Sequence, residues 1–266
     1  MMAETESREG IVNQTPEKKE QNRHLIIGLH GAIGAGKTEL ARFLCRESGL
    51  VHFEEKYKDN PYLVGFYDDP PAYSFLMESW FLDDKVRQII KVPRIAKNFG
   101  VAEDPDLLQD AEIYASVHHK LGWMTDNQHQ KYTKHVEECC RLHKIQVPDM
   151  IISVHAPIDT IMARIIKRNR PYEIAMMKKC PEYFAEIARR TEEWVEENRQ
   201  RVPIMVVDSG NLNYVANSST QAMLISKLQL EVTKLFGNHP EIKIPKELRY
   251  VWPNSDPTVG RSYLRH

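Results

Sequence analysis

Apolar positions along the chain follow two patterns. Five short, mainly apolar runs fall at 25–29, 50–53, 99–103, 150–154 and 203–207, as expected of strands buried on both faces of a parallel sheet. Between them, apolar residues recur at helical spacing. Leu40, Phe43 and Leu44 form the apolar side of a first helix. Pro61 and the Pro70-Pro71 pair bracket a short helical piece at 62–67. A long helix is predicted at 73–92, with Phe75, Trp80, Phe81, Leu82, Val86 and Ile89 among its apolar positions. Further helices are predicted at 126–142, 183–199 and about 220–236, and one begins after Pro157 with Asp159 in capping position. Strand followed by helix, five times over, defines an α/β protein: a five-stranded parallel sheet flanked by helices.

The length of 266 residues permits one such domain with tails, or two small domains. A hydrophobic fraction of 42% supports a sizeable core. The net charge of −1 gives no reason to expect nucleic-acid binding. No apolar run approaches the roughly 20 residues of a membrane helix. Cys45, Cys139, Cys140 and Cys180 lack metal-ligand spacing and read as free thiols in a reducing compartment. Residues 1–23 are charged and poor in large apolar groups, the composition of a disordered tail. Residues 237–266, with scattered prolines and aromatics, read as an irregular extension, leaving 24–236 as the main domain.

The first apolar run leads directly into Gly31-Ala32-Ile33-Gly34-Ala35-Gly36-Lys37-Thr38, which fits G-x-x-x-x-G-K-[ST] throughout. Its glycines let backbone N–H groups converge on a phosphate chain, and the following helix adds its positive end. Lys37 is placed to neutralise the β- and γ-phosphates, and the Thr38 hydroxyl to hold Mg²⁺. Strand before and helix after is the context that separates this motif from a glycine-rich turn.

Other chemistry-bearing residues are more equivocal by themselves. Glu54-Glu55 closes the second strand, where parallel sheets face their ligand, yet a solvated strand end reads the same way. Glu78 sits among apolar and aromatic neighbours, where a carboxylate needs a partner or a function. Arg164 and Arg168 lie one helical turn apart and Arg170 follows; they can converge on phosphates, or form a basic helix end that suits the dipole.

Asp59-Asn-Pro-Tyr-Leu, Phe66-Tyr67 and Tyr73-Ser-Phe-Leu-Met-Glu-Ser-Trp-Phe-Leu82 resemble the deoxyribonucleoside kinase family, and the order of landmarks agrees from Leu25 to about Leu235. The resemblance implies a P-loop kinase fold with an arginine-rich lid, ATP as donor, Mg²⁺, a deoxynucleoside as acceptor in nucleotide salvage, and a cytoplasmic homodimer. It assigns Glu55 as the base for the 5′-hydroxyl, with Glu54 as the close alternative. It gives the 3′-hydroxyl to Tyr67 and Glu173, the base edge to Glu78 (where the family usually has glutamine) and Asp110, and stacking to Tyr114. Lys85 falls where an arginine often sits, and Asp104 matches an acid that helps hold Mg²⁺. Arg164, Arg168 and Arg170 match the lid, Arg-x-x-x-Arg-x-Arg-x-x-Glu, position for position. Pro105 and Asp106 depart from the Arg-Ser that follows the acid in the family, and a polar loop rich in caps accounts for the acids here singly. An ionised Glu78 can only accept, which favours purine edges, guanine ahead of adenine. Two alternatives stay open: a kinase of another small substrate such as a nucleoside monophosphate, and a nucleotide-binding accessory protein that has lost turnover.

Overall fold

The computed structural model describes residues 23–236; the tail expected at 1–22 and the extension expected from 237 lie outside the described residues. The five expected strands form one parallel sheet: β1 (Ile26–Gly31), β2 (Val51–Glu54), β3 (Val101–Asp104), β4 (Met150–His155) and β5 (Ile204–Asp208). The order β2-β3-β1-β4-β5 places the first strand at the centre. β1 is buried along its whole length, as its apolar run requires. Gly28 on this strand is required by close approach: a Cβ there would stand 2.5 Å from Asp106 Oδ2 and 2.6 Å from Ile151 Cδ1.

Helices cover both faces. α1 (Lys37–Ser48) follows β1; α2 (Leu63–Asp68), α3 (Pro70–Ile89) and α4 (Val92–Ile95) connect β2 to β3. α5 (Leu107–Gln109), a π-helical turn (Asp110–Tyr114), α6 (Ala115–Lys120) and α7 (Asp126–His143) lead to β4. α8 (Ile158–Arg168), α9 (Pro171–Lys179) and α10 (Glu182–Asn198) lead to β5, and α11 (Ser218–Phe236) closes the described chain.

The differences from the sequence reading have local causes. α3 starts at Pro70 because Pro70 and Pro71 occupy its first turn, where the missing N–H groups cost nothing, and the Asp69 side chain accepts from Ala72 N. The prolines thus begin the long helix. α8 is entered through Pro157; Asp159 lies in its first turn and makes no side-chain cap. The stretch from 107 to 120, expected to be partly loop, is helical with Asp106 as N-cap, its carboxylate accepting from Gln109 N at 3.0 Å. Arg23, assigned above to the tail, pairs through both guanidinium arms with Asp149 at 2.7 and 2.9 Å.

The register brings chemistry to one edge. Glu54 is level with Asp104 across β2 and β3, and Glu55 N donates to Asp104 O at 2.9 Å. β1 ends beside them at Gly31. The carboxyl ends of β2, β3 and β1 therefore face one crevice, at the place where strand order reverses.

Candidate active site

A cleft of about 850 Å³ opens over these strand ends. Its floor is the phosphate loop. Gly31 N donates to Gln109 Oε1 at 2.6 Å, and Gly34 and Gly36 take φ of 84° and 103°. Position 36 admits only glycine, because a Cβ would also meet the Tyr214 hydroxyl at 2.5 Å. Lys37 follows immediately, its Nζ donating to Gly31 O at 2.7 Å within the loop. Burial lowers the Lys37 pKa, while Asp104, Glu55 and Asp110 pull it back up.

Asp104 is buried, with neither carboxylate oxygen hydrogen-bonded; His52 Nε2 lies 3.4 Å from Oδ2. Burial would raise its pKa, but His52, Lys37 and Thr38 beside it leave it below the usual value. A buried, ionised carboxylate with open lone pairs next to a threonine hydroxyl suits a hard cation such as Mg²⁺. Among the described residues no group of three or more His, Cys, Asp or Glu could hold a metal alone. Thr38 and Asp104 therefore suit a cation that shares its shell with phosphate oxygens.

Glu54 and Glu55 part company. Glu54 is turned to the rim, where Arg42 Nη2 of α1 bonds it at 2.6 Å. Glu55 faces inward. Burial lifts its carboxyl above the usual range, against the pull of Lys85 and Lys37. Of the predicted residues, Gly31, Ala35 and Lys85 do not line the cleft: Lys85 is buried behind the wall, and its Nζ donates to Pro105 O at 2.7 Å. It acts on the site through charge and makes no contact with the cavity.

Asp110 and Tyr114, four residues apart, both line the cleft from the π-helical turn, whose closing bond runs from Ala115 N to Asp110 O. Asp110 Oδ2 is buried without a partner, and burial together with Glu55 raises its pKa well above the usual range. Glu78 lines the cleft from α3; burial, then Asp110 and Glu55, likewise raise its pKa.

The lid residues sort into two roles. Arg164 Nη1 donates to Ala35 O and to Ser209 Oγ, both at 2.9 Å, and its Nη2 to Ser209 O at 2.6 Å. It staples the phosphate loop to the end of β5, so it does not converge with the other two arginines. Arg168 and Arg170 share the buried Glu173, at 2.6 and 3.2 Å. Arg170 Nη2 also donates to the Tyr57 hydroxyl at 2.6 Å, with its guanidinium 4.2 Å from that ring's centre. Tyr67 lies close by, its ring 4.8 Å from Tyr172; burial and then the Glu173 charge raise its phenol pKa.

Tyr57, Ser209 and Tyr214 line the cleft unanticipated, and His52 and His118 stand behind it. Tyr57 follows Glu54-Glu55 closely enough to have been found; the others carry no local signal.

A glycine loop at the end of a central parallel strand, a lysine on its helix, an inward carboxylate on the neighbouring strand and a lid of arginines define a P-loop phosphotransferase. The model of the deoxynucleoside kinase family matches residues 27–233, and the chain belongs to that family. Similar proteins include two from Lactobacillus acidophilus. Its deoxyguanosine kinase is 27% identical over 208 residues, 76% of this chain and 89% of that one. Its deoxyadenosine kinase is 27% identical over 217 residues, 80% and 98% of the two chains. The structure of deoxyadenosine kinase from M. mycoides with bound dATP superposes with a TM-score of 0.65 at 25% identity, covering 77% of this chain and 100% of that one. The protein is a deoxynucleoside kinase, a transferase.

Proposed function

We propose that the protein moves the γ-phosphoryl group of ATP to the 5′-hydroxyl of a purine deoxynucleoside. The observation that carries this is the meeting of Glu55, Lys37 and Asp104 over adjacent strand ends in one cleft. The 5′-O–H bond breaks as Glu55 takes its proton; the oxygen bonds to the γ-phosphorus, and the bond to the bridging β,γ-oxygen breaks to release ADP. Such a transfer asks mainly for positioning and charge stabilisation. Lys37, Arg168 and Arg170 supply positive charge, and Arg164 holds the loop that places it. Mg²⁺, held by Thr38 and Asp104, would neutralise phosphate charge. Tyr67 and Glu173 take the 3′-hydroxyl, Tyr114 stacks on the base, and Glu78 and Asp110 meet its edge.

Purine choice is supported by the acceptors at Glu78 and Asp110, since guanine N1–H and the exocyclic amines of guanine and adenine are donors. It is supported too by the deoxyguanosine and deoxyadenosine kinases among the relatives. A panel of four deoxynucleosides with ATP and Mg²⁺, read by monophosphate formation, tests the reading. Deoxyguanosine and deoxyadenosine should lead and thymidine trail; thymidine ahead of both, or no monophosphate at all, refutes it. The kinase unit is assigned to 24–236. The exposed Tyr73 and Leu76 on α3 support a homodimer, which light scattering would test. A cytoplasmic location follows from the family reading; no described helix is long and apolar enough to cross a membrane.

A further inference from the structure

Behind Glu78 lies a histidine that the reaction does not use. His118, on α6, is completely buried, and its backbone oxygen accepts from Trp123 N and Met124 N at 2.8 and 3.1 Å, fixing the end of that helix. Its ring is packed by Phe66 at 4.9 Å and by Trp123 and Tyr183 at 5.7 Å. Each ring nitrogen has a polar neighbour. Nε2 lies 3.2 Å from the Tyr183 hydroxyl. Nδ1, with no hydrogen-bond partner of its own, lies 3.3 Å from Glu78 Oε1. Glu78 and Tyr183 both line the cleft, and His118 joins them from behind its wall.

With the 3.3 Å approach of Nδ1 to Glu78 Oε1 closed into a hydrogen bond, two proton arrangements fit these three side chains. In one, the Tyr183 hydroxyl donates to Nε2 and Nδ1–H donates to an ionised Glu78. In the other, the proton sits on Glu78 Oε1 and is donated to Nδ1, while Nε2–H donates to the Tyr183 oxygen. The imidazole is neutral in both, in keeping with burial, which pushes its pKa down to about 3. The charged groups facing Glu78 from the other elements are Asp110 and Glu55, both acidic, and they favour the second arrangement. In either arrangement Oε1 is occupied and Oε2 carries no proton. Without the imidazole, a protonated Glu78 could place its O–H on either oxygen and offer the base a donor.

We propose that His118 is the positioning residue for Glu78: by engaging Oε1 from the core it keeps the oxygen offered to the cleft an acceptor, and so sustains selection for base edges that carry donors. This rests on the reading of Glu78 as the residue that meets the base.

The test compares kcat/KM for deoxyguanosine, with adjacent donors at N1–H and the exocyclic amine, with that for deoxycytidine, whose single exocyclic amine sits beside the acceptors at ring N3 and the carbonyl. His118→Phe keeps the ring's bulk and removes both nitrogens; it should lower the purine-to-pyrimidine ratio by about tenfold, the upper scale of one neutral hydrogen bond. His118→Asn returns an amide near the Nδ1 position, whose oxygen can accept from Glu78 Oε1–H, and should hold the ratio within about threefold. Glu78→Gln should lower the ratio by itself, and adding His118→Phe to it should lower it no further. A His118→Phe enzyme that loses kcat/KM equally for both nucleosides would show a purely structural role and end the proposal. An unchanged ratio in Glu78→Gln would remove the reading beneath it. Should His118→Phe fail to fold, Tyr183→Phe removes the hydroxyl that meets Nε2: a lower ratio supports the proposal, and an unchanged one overturns it.

Discussion

Lys85 Nζ donates a 2.7 Å hydrogen bond to the backbone carbonyl of Pro105, the position at which relatives of this enzyme were expected to carry an arginine. The loop after β3 thus lacks a cationic side chain, yet a cation stands behind it, supplied by α3. Lys85 faces Glu55, Asp110 and Glu103, and is the chief influence holding the Glu55 pKa down against burial. An ammonium works as a point charge and needs no bidentate geometry for this.

Removing that charge should therefore show in pH dependence first. The base must be ionised, so activity is present above the Glu55 pKa and lost below it. Lys85→Met lets burial raise that pKa further, and the acid limb of kcat/KM should move to higher pH; Lys85→Arg should keep it near the wild-type position. A Lys85→Met profile superimposable on wild type would show that the charge is immaterial to the base.

Glu55 and Glu54 should separate cleanly. Glu55→Gln keeps shape but cannot take a proton, and kcat should fall by roughly 10²–10⁴ with nucleoside affinity retained. Glu54 makes a half-exposed surface pair with Arg42, the kind that contributes about 0–1 kcal/mol, and Glu54→Gln should leave kcat within a few-fold. Steady-state kinetics and nucleoside titration of the two variants decide it; a larger fall for Glu54→Gln reverses the assignment.

The sugar prediction follows from Tyr67 and Glu173. Both are buried, and polar groups built around a hydroxyl are left unpaired when it is missing. A 3′-deoxynucleoside should lose at least about tenfold in kcat/KM against its parent. Comparable values for the two would separate these residues from the 3′-hydroxyl.

Glu103 gives a prediction about stability. It is buried on β3, and burial, with Asp106 adding to it, pushes its pKa up to about 8. A carboxyl raised on folding binds more protons in the native than in the unfolded state between the unfolded value near 4.5 and 8. Its contribution is therefore present at low pH and lost as pH rises through that window. Glu103→Gln should flatten this part of the curve and stabilise the protein at pH 8.5 relative to wild type. Denaturant midpoints at pH 6 and 8.5 test it; parallel curves for the two proteins would count against it.

What the sequence made legible tracks how local each requirement is. The phosphate loop was readable because its glycines answer to φ and to close approach at the same few positions, and the buried strands because nothing but an apolar run serves there. The lid spacing was readable as a motif, but not that Arg164 would turn to Ala35 and Ser209, since those partners are 129 and 45 residues away. Lys85 was found at its place, but its distance from the cavity was not, because a lysine pointing at a wall or through it has the same neighbours in the chain. His118 had no signal whatever: its meaning lies in Glu78 and Tyr183, from two other helices.

Gln109 joins the phosphate loop to the wall of the cleft. Its side chain receives the Gly31 N–H, its backbone N–H is received by Asp106, and Asp106 in turn meets His30 Nε2 at 2.6 Å, one residue before the phosphate loop. Asp110, on the wall assigned to the base, is the next residue in the chain. The loop expected to cradle the phosphates and the wall assigned to the base are thus bolted together at two points. Arg164 ties α8 to the same loop, so a closing stroke is left to the segment beyond it that carries Arg168, Arg170 and Glu173, and a crosslink from that segment to the loop should stall the enzyme.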